Sequence, residues 1–223
     1  MRTLTHEEAK IYYNRFGRKQ DQQAFYEEPA LRAMMANAAL DQAQSVVEFG
    51  CGTGRLAQEL LQHHLPEGAH YLGTDISSTM VALTTGRLTP YAQRASVVLT
   101  GGSPTVPVNA GTADRFISTY VFDLLPERDR KPFLAEAGRV LRSGGLLCLA
   151  GITDGTTVLS RGVMSGWQWL FARNPRLVGG CRPTSVIAYL AADAWQIRYH
   201  QVLVTWGIAS EVIIATPRSS SHR

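Results

Sequence analysis

The most constraining stretch of the 223-residue chain runs from Val46 to Ala57. It consists of an apolar run ending on an acid, Val46-Val47-Glu48-Phe49, three glycines spaced by two, Gly50-Cys51-Gly52-Thr53-Gly54, and the helix formers Arg55-Leu56-Ala57. Near-continuous apolar runs of this kind belong to strands buried on both faces, so the pattern predicts a parallel strand, a tight turn and a helix. Glycine reaches positive φ without steric cost and carries no Cβ, which lets the backbone reverse sharply and approach a ligand closely. The helix behind the turn directs its free N–H groups into it, and the product is a pocket for a nucleotide-type ligand. A dinucleotide fingerprint would place its third glycine three residues after the second. Here that position is Arg55. An acid at the strand tip also repels a pyrophosphate, whereas it accepts hydrogen bonds from an ammonium group.

The pattern Glu48-x-Gly50-x-Gly52-x-Gly54 resembles the first motif of the class I S-adenosylmethionine-dependent methyltransferases, an acid followed by G-x-G-x-G. Later stretches keep that family's order. His70-Tyr71-Leu72-Gly73-Thr74-Asp75 reads as a second strand closing on an acid, about twenty residues after the turn, where a carboxylate can accept hydrogen bonds from both ribose hydroxyls. Ile76 and Met80 follow it, close enough to pack on an adenine face. Ser96-Val97-Val98-Leu99-Thr100 reads as a third strand, followed by Gly101-Gly102-Ser103. The family usually carries an acid there for the adenine amino group; Gly102 replaces it, which leaves adenine to backbone groups, apolar contacts and Ser103. Arg115 to Tyr120 resembles the fourth strand, Arg139-Val140-Leu141-Arg142-Ser143-Gly144-Gly145 the helix-to-strand turn, and Leu146 to Gly151 the fifth strand. The resemblance implies an α/β fold, Rossmann-like and doubly wound, with a seven-stranded sheet and an antiparallel edge hairpin. It implies S-adenosyl-L-methionine as cofactor, held by Glu48, Gly50, Cys51, Gly52, Gly54, Asp75, Ile76, Met80, Ser103, Tyr120 and Tyr13.

Length suits one α/β domain with a sizeable core. We divide it into an N-terminal helical lid or cap (1–44), a cofactor-binding core (45–153), a substrate-cap insertion (154–182) and a C-terminal helix and hairpin (183–217). No apolar run reaches the length of a membrane-spanning helix, and the charged opening does not read as a signal peptide. Cys51, Cys148 and Cys181 are odd in number and lack metal-ligand spacing, which suggests reduced thiols in a cytosol. The net charge of +4 does not imply nucleic acid. No metal site is expected.

Residues 5–40 read as helical, and Tyr13-Asn14-Arg15-Phe16 resembles the tyrosine-aspartate motif of methyltransferase lids, with Asn14 in place of the acid. Tyr13 and Phe25-Tyr26 are candidates for an aromatic flap that excludes water. In the insertion, Leu159, Val163, Trp167, Leu170 and Phe171 form an apolar stripe with Arg161, Ser165 and Gln168 opposite. Trp167, Arg173, Arg176 and Arg182 are its candidate acceptor contacts, and a peripheral membrane surface is the other reading of the segment. Thr184 to Asp193 is expected to be helical, with strands over Trp195–Thr205 and Ser210–Thr216 and a polar tail from 217 to 223. A sulfonium methyl is already electrophilic, so alignment and dehydration carry most of the catalysis. Asp123 and Tyr120, at the end of the fourth strand, are the candidate catalytic residues. The layout resembles the ubiquinone/menaquinone-biosynthesis type of methyltransferase, which implies a small or lipid-like acceptor and a cytoplasmic enzyme. The alternatives are an RNA or protein methyltransferase and a non-catalytic cofactor-binding subunit.

Overall fold

In a computed structural model, which describes residues 2–218, the chain forms a seven-stranded sheet in the order β3-β2-β1-β4-β5-β7-β6. The strands are β1 (Ser45–Phe49), β2 (His70–Asp75), β3 (Ala95–Leu99), β4 (Ala113–Thr119), β5 (Leu141–Ile152), β6 (Trp195–Thr205) and β7 (Ile208–Pro217). β1 to β5 run parallel, and β7 is antiparallel to both β5 and β6. The order reverses between β1 and β4, and open α/β sheets bind ligands at the strand ends of such a switch point. The helices are α1 (His6–Phe16), α2 (Ala24–Asn37), α3 (Arg55–Glu59), α4 (Ser78–Arg87), α5 (Glu127–Val140) and α6 (Val158–Arg173).

The two faces of the sheet carry separate apolar layers. One packs Leu31 and Met34 of α2, with Leu56 and Leu60, onto Val46, Ile117, Val212 and Ile214. The other packs Phe133 and Val140 of α5 onto Val47, Phe116, Leu147 and Ile213. Phe133 sits at the centre of the second layer, edge-on to Phe49, Phe116 and Phe122. Complete burial of such a ring contributes about 1.5–3 kcal/mol, so this cluster fixes α5 and with it the end of β4. The N-terminal layer is tied to the sheet by Arg115, whose buried guanidinium donates to the carbonyls of Ala38 (2.6 Å) and Ala39 (2.5 Å). Those carbonyls close α2, where Ala39 turns left-handed at φ 45°.

Three expectations need correction. Thr184 to Asp193 forms no α-helix and contains only a short 3-10 turn at Ile187–Tyr189. Long-range partners take its amides instead: the Thr184 N–H donates to the Ile152 carbonyl and the Val186 N–H to Glu211 Oε2 (2.5 Å), while Val186 and Leu190 are buried. The hairpin turns on two residues, Trp206 (φ 55°) and Gly207 (φ 81°), a pair of positive φ values suited to a tight two-residue reversal. In α6 the buried side is Met164 and Phe171 with half-buried Trp167, whereas Leu159 and Leu170 face outward. The polar tail expected over 217–223 lies, from residue 219 on, outside the described residues. All three cysteines are buried and free.

Candidate active site

A cleft of about 790 Å³, partly open to solvent, lies at the carboxyl ends of β1, β2 and β4. Its floor is the turn Gly50 to Gly52, and the turn is held in place by β2: the Gly50 and Cys51 amides both donate to the Thr74 carbonyl. Gly50 and Gly52 have φ of 78° and 54°. A Cβ on Gly50 would collide with Val121 Cγ2, and one on Gly52 would come within 2.8 Å of Gln20 Oε1. Gly50 is therefore required by conformation and by space, and Gly52 by conformation, since the Gln20 amide is the end of a side chain that can swing away. Gly54, also left-handed, plays a different part, because its missing Cβ makes room for Thr84 and lets α3 lie close on α4.

Asp75 closes β2 and links the turn to α4. Its Oδ2 accepts from the Gly52 N–H (2.9 Å) and its Oδ1 from the Ser77 N–H (2.8 Å). Burial raises its pKa, and these two backbone donors oppose the rise. Ile76, Met80, His6, Thr100 and Gly102 form the adjoining wall. Gly102 has φ of 88°, and a Cβ there would lie 2.6 Å from Ile76 Cδ1 and 2.9 Å from His6. The missing acid is explained by that geometry: the space a larger side chain needs is taken by Ile76 and His6.

Glu48 lies one step deeper. It faces a small recess behind the glycine turn, lined also by Gln20, Glu27, Cys51, Arg55 and Tyr120. The recess shares Gln20, Gly50, Gly52, Thr119 and Tyr120 with the main cleft. Tyr71 donates its hydroxyl to Glu48 Oε2 (2.6 Å). Burial pushes the Glu48 carboxyl up to about 7, against the pull of the Tyr71 hydrogen bond. Glu27 is likewise pushed up to about 7 by burial, opposed mainly by Arg55, whose guanidinium stands 3.6 Å away and also binds Glu28 (2.8 Å). Gln20 Oε1 is buried with no hydrogen-bond partner. An orphaned acceptor, a carboxylate and a bared backbone turn converge here, and together they fit an amino-acid ammonium group.

Tyr120 directly follows β4 in a left-handed conformation (φ 56°) that is strained for a bulky side chain. Its hydroxyl is paired with Ser210 (3.0 Å) and its ring stands edge-on to Tyr26. Burial raises its pKa well beyond the neutral range, so it is a proton-bearing wall of the cleft and not a base. Asp123 does not line the cleft. It is buried with neither carboxylate oxygen hydrogen-bonded, and burial pushes it up to about 6.

The N-terminal segment covers the cleft. Leu4, His6, Ala9, Tyr13 and Gln20 line it directly. Tyr13 donates its hydroxyl to the Gly179 carbonyl (3.1 Å). Asn14 does the capping work of an acid through its carbonyl oxygen, which accepts from Ser77 Oγ (2.6 Å) and the Thr79 N–H (3.3 Å) at the start of α4. Asp21 accepts from Thr53 (2.5 Å) and Arg87 (2.8 Å), a further tie from the lid to the glycine turn. Phe25 is 57% exposed and away from the cleft, and Tyr26 is packed in the core beneath Tyr120, so the aromatic flap reduces to Tyr13.

Several other expected site residues lie elsewhere. Ser103 is exposed and accepts from Thr105, because the left-handed turn at Gly102 carries the chain away from the cleft. Cys51 points under the turn toward Gly73 and borders only the recess. Of the four acceptor contacts assigned to the insertion, none reaches the cleft. Trp167 donates Nε1 to the Cys181 carbonyl, Arg173 stacks on Trp169, Arg176 pairs with Glu8 (3.2 Å), and Arg182 donates to the carbonyls of Asp123 and Leu125. The insertion serves the site through its backbone at Gly179 and Gly180, against which Tyr13 and Leu4 pack. Gln20, Glu27, His6 and Leu4 were missed from sequence, where polar and apolar residues of a helical segment carry no mark of what they will face.

The parallel sheet with a reversed edge strand, the acid before a glycine turn and the acid ending β2 are arranged as in the fold of S-adenosylmethionine-dependent methyltransferases. Comparison with known proteins agrees: residues 46–145 match the family model described as a methyltransferase domain. The tRNA N(3)-methylcytidine methyltransferase Mettl2 of Drosophila melanogaster is 27% identical over 140 residues, 61% of this chain and 43% of that protein. The trans-aconitate 2-methyltransferase of Azoarcus sp. (strain BH72) is 32% identical over 120 residues, 54% of this chain and 44% of that protein. This chain thus spans about half the length, or less, of the curated relatives it matches. Among solved structures, the [4+2]-cyclase SpnF superposes with a TM-score of 0.74 at 13% identity, covering 97% of this chain and 98% of that one, a likeness of fold.

Proposed function

We propose that the chain transfers a methyl group from S-adenosylmethionine to a small or lipid-like acceptor without a negative charge, by direct in-line attack. The observation that carries this reading is the lining of the cleft. It joins the cofactor cradle to an apolar end made by Leu4, Tyr13, Leu124, Leu125 and Pro126, and among the described residues neither Arg nor Lys lines it. In the cradle, Glu48 and Gln20 would take the ammonium end, Asp75 the ribose hydroxyls, and Ile76 and Met80 the adenine. Bound there, the cofactor would supply an electrophilic sulfonium methyl. The chain's own residues would then position the acceptor against Tyr120 and Thr119 and keep water out with Leu4 and Leu124. Asp123 lies behind that wall, so we reserve for it a supporting part, and an acceptor that carries a proton on the attacking atom gives it up to solvent as the methyl is transferred.

The layout of a helical lid and an insertion after β5 supports a place beside the ubiquinone/menaquinone-biosynthesis type, and reduced buried thiols support a cytoplasmic setting. Among the described residues no helix is long and apolar enough to cross a membrane. Mettl2 favours a second reading, an RNA acceptor. Phosphate-rich substrates are held by Lys and Arg, and a cleft whose described lining carries neither argues against it, as it does against a polycarboxylate such as trans-aconitate. The test is turnover of methyl-labelled cofactor with quinol-like and other neutral lipophilic acceptors against tRNA and trans-aconitate. Label transfer to tRNA alone overturns the acceptor assignment. If the protein binds NAD and ignores S-adenosylhomocysteine, the cofactor assignment falls with it.

A further inference from the structure

Helix α6 has two apolar faces, and only one is used. Met164, Trp167 and Phe171 point inward, while Val158 (87% exposed), Leu159 (71%), Trp169 (62%) and Leu170 line an outward strip at helical spacing. Gly162 and Gly166 lie along the same strip with open space above them, so that it presents a flat apolar band. Gly207 sits against Val163 at the strip's edge, which sets the hairpin tip beside it, and Trp206 at that tip is 81% exposed. Leu177 extends the band beyond the C-terminus of α6. A folded surface rarely leaves two tryptophans and three or more large aliphatics exposed on neighbouring elements without a partner.

The charges carried by this stretch of the sequence have one sign. Between Asp154 and Asp193 the sequence contains Arg161, Arg173, Arg176 and Arg182 and no Asp or Glu. Arg161 and Arg173 flank the strip, Arg173 with its guanidinium over the Trp169 ring at 5.9 Å, whereas Arg176 in the next turn is paired with Glu8 (3.2 Å) and Asp154 accepts from Gln168. Arg182 is turned inward and takes no part. An apolar band carrying tryptophans, with Arg161 and Arg173 at its border, complements an anionic lipid surface: the rings enter the headgroup boundary and the guanidinium groups meet phosphates. A protein partner of matching shape would have to supply acids at the same border, whereas an anionic bilayer supplies them everywhere.

We propose that the outer face of α6, with Trp206 and Leu177, is a peripheral docking surface for anionic membranes. The inference stands apart from the choice of acceptor, since none of these residues lines the cleft. The test is vesicle flotation of the full chain with phosphatidylcholine vesicles and with phosphatidylcholine/phosphatidylglycerol vesicles. The protein should float with the second and not with the first, and added salt should release it. Arg161→Gln and Arg173→Gln should each weaken partitioning roughly fivefold. Trp169→Ser with Trp206→Ser should weaken it by roughly tenfold or more. Calorimetric binding of S-adenosylhomocysteine, unchanged in each variant, shows that the fold survives. Failure of the wild type to associate with phosphatidylglycerol vesicles at low salt overturns the proposal, as does equal partitioning of all variants. A concentration-dependent dimer that Trp169→Ser abolishes, with vesicles ignored, would overturn it too, by identifying the band as a contact between copies.

Discussion

Asp75→Asn isolates what the carboxylate at the end of β2 contributes, because it keeps shape and removes charge. In the unliganded protein the two carboxylate oxygens receive the N–H groups of Gly52 and Ser77 at 2.9 and 2.8 Å. An amide has one acceptor oxygen, so whichever way the substituted side chain is turned, one of these donors meets an NH2 group. A hydrogen bond to a charged acceptor contributes about 1.5–3 kcal/mol, and loss of the buried charge returns part of its desolvation cost, which leaves a net destabilisation of about 1–2 kcal/mol. For a chain of this size that lowers Tm by about 3–6 °C. With the ribose placed on Asp75 as proposed, binding loses more, because both hydroxyls give up a charged acceptor and one must turn to accept from the amide NH2. We expect affinity for S-adenosylhomocysteine to fall by about 1.5–3 kcal/mol, or roughly 10- to 150-fold. Differential scanning calorimetry reads the first figure and isothermal titration the second. An Asp75→Asn protein that melts with the wild type and binds within about threefold of it would refute the reasoning, since charge-assisted bonds of this strength cannot be lost silently.

Glu48→Gln should alter the pH dependence of stability. The folded pKa of Glu48 is raised from 4.5 to about 7, so the folded state holds the proton more tightly. The resulting stabilisation is full below the unfolded pKa and is lost as pH rises toward about 7, a decline of about 2–3 kcal/mol. Urea unfolding at about pH 5 and about pH 8 should show that decline in the wild type and a smaller one in Glu48→Gln, and equal slopes would refute it. Gly102→Asp restores the acid usual in the family, yet it should weaken cofactor binding and cost about 1–3 kcal/mol of stability, because its Cβ would lie 2.6 Å from Ile76 Cδ1 at φ 88°. Tighter binding by that variant, measured by titration, would contradict the account of the adenine wall. Amide exchange over residues 8–30 should slow when cofactor is added, since Tyr13, Asn14 and Asp21 are tied to Gly179, α4 and Thr53 around the cleft. Unchanged protection there would make the segment scaffold.

Local chemistry made the glycine turn and the acids at the strand ends, where the cleft lies, legible from sequence. The acid, the alternating glycines and the acid of β2 each stand where a strand ends, and strand ends are marked by apolar runs stopping at turn residues. The parallel sheet could be expected for the same reason, because five apolar strands, all but the third and fourth joined through a helix, leave few ways to pair. The roles of the remaining residues depended on neighbours far along the chain. Thr184 to Asp193 has helix-compatible residues, yet Ile152 and Glu211 take its amides and hold it as a strap. Gly102 carries no acid because Ile76 and His6 fill the space, and His6 lies 96 positions away in the sequence. In α6 both faces are apolar, so periodicity marks a helix without saying which side is buried. Tertiary packing settled it by turning Phe171 inward and leaving Trp169 outside. Sequence by itself thus determined the strand ends and the chemistry they carry, whereas burial and amide pairing, which depend on what a residue meets after the chain closes on itself, were decided only by the tertiary structure.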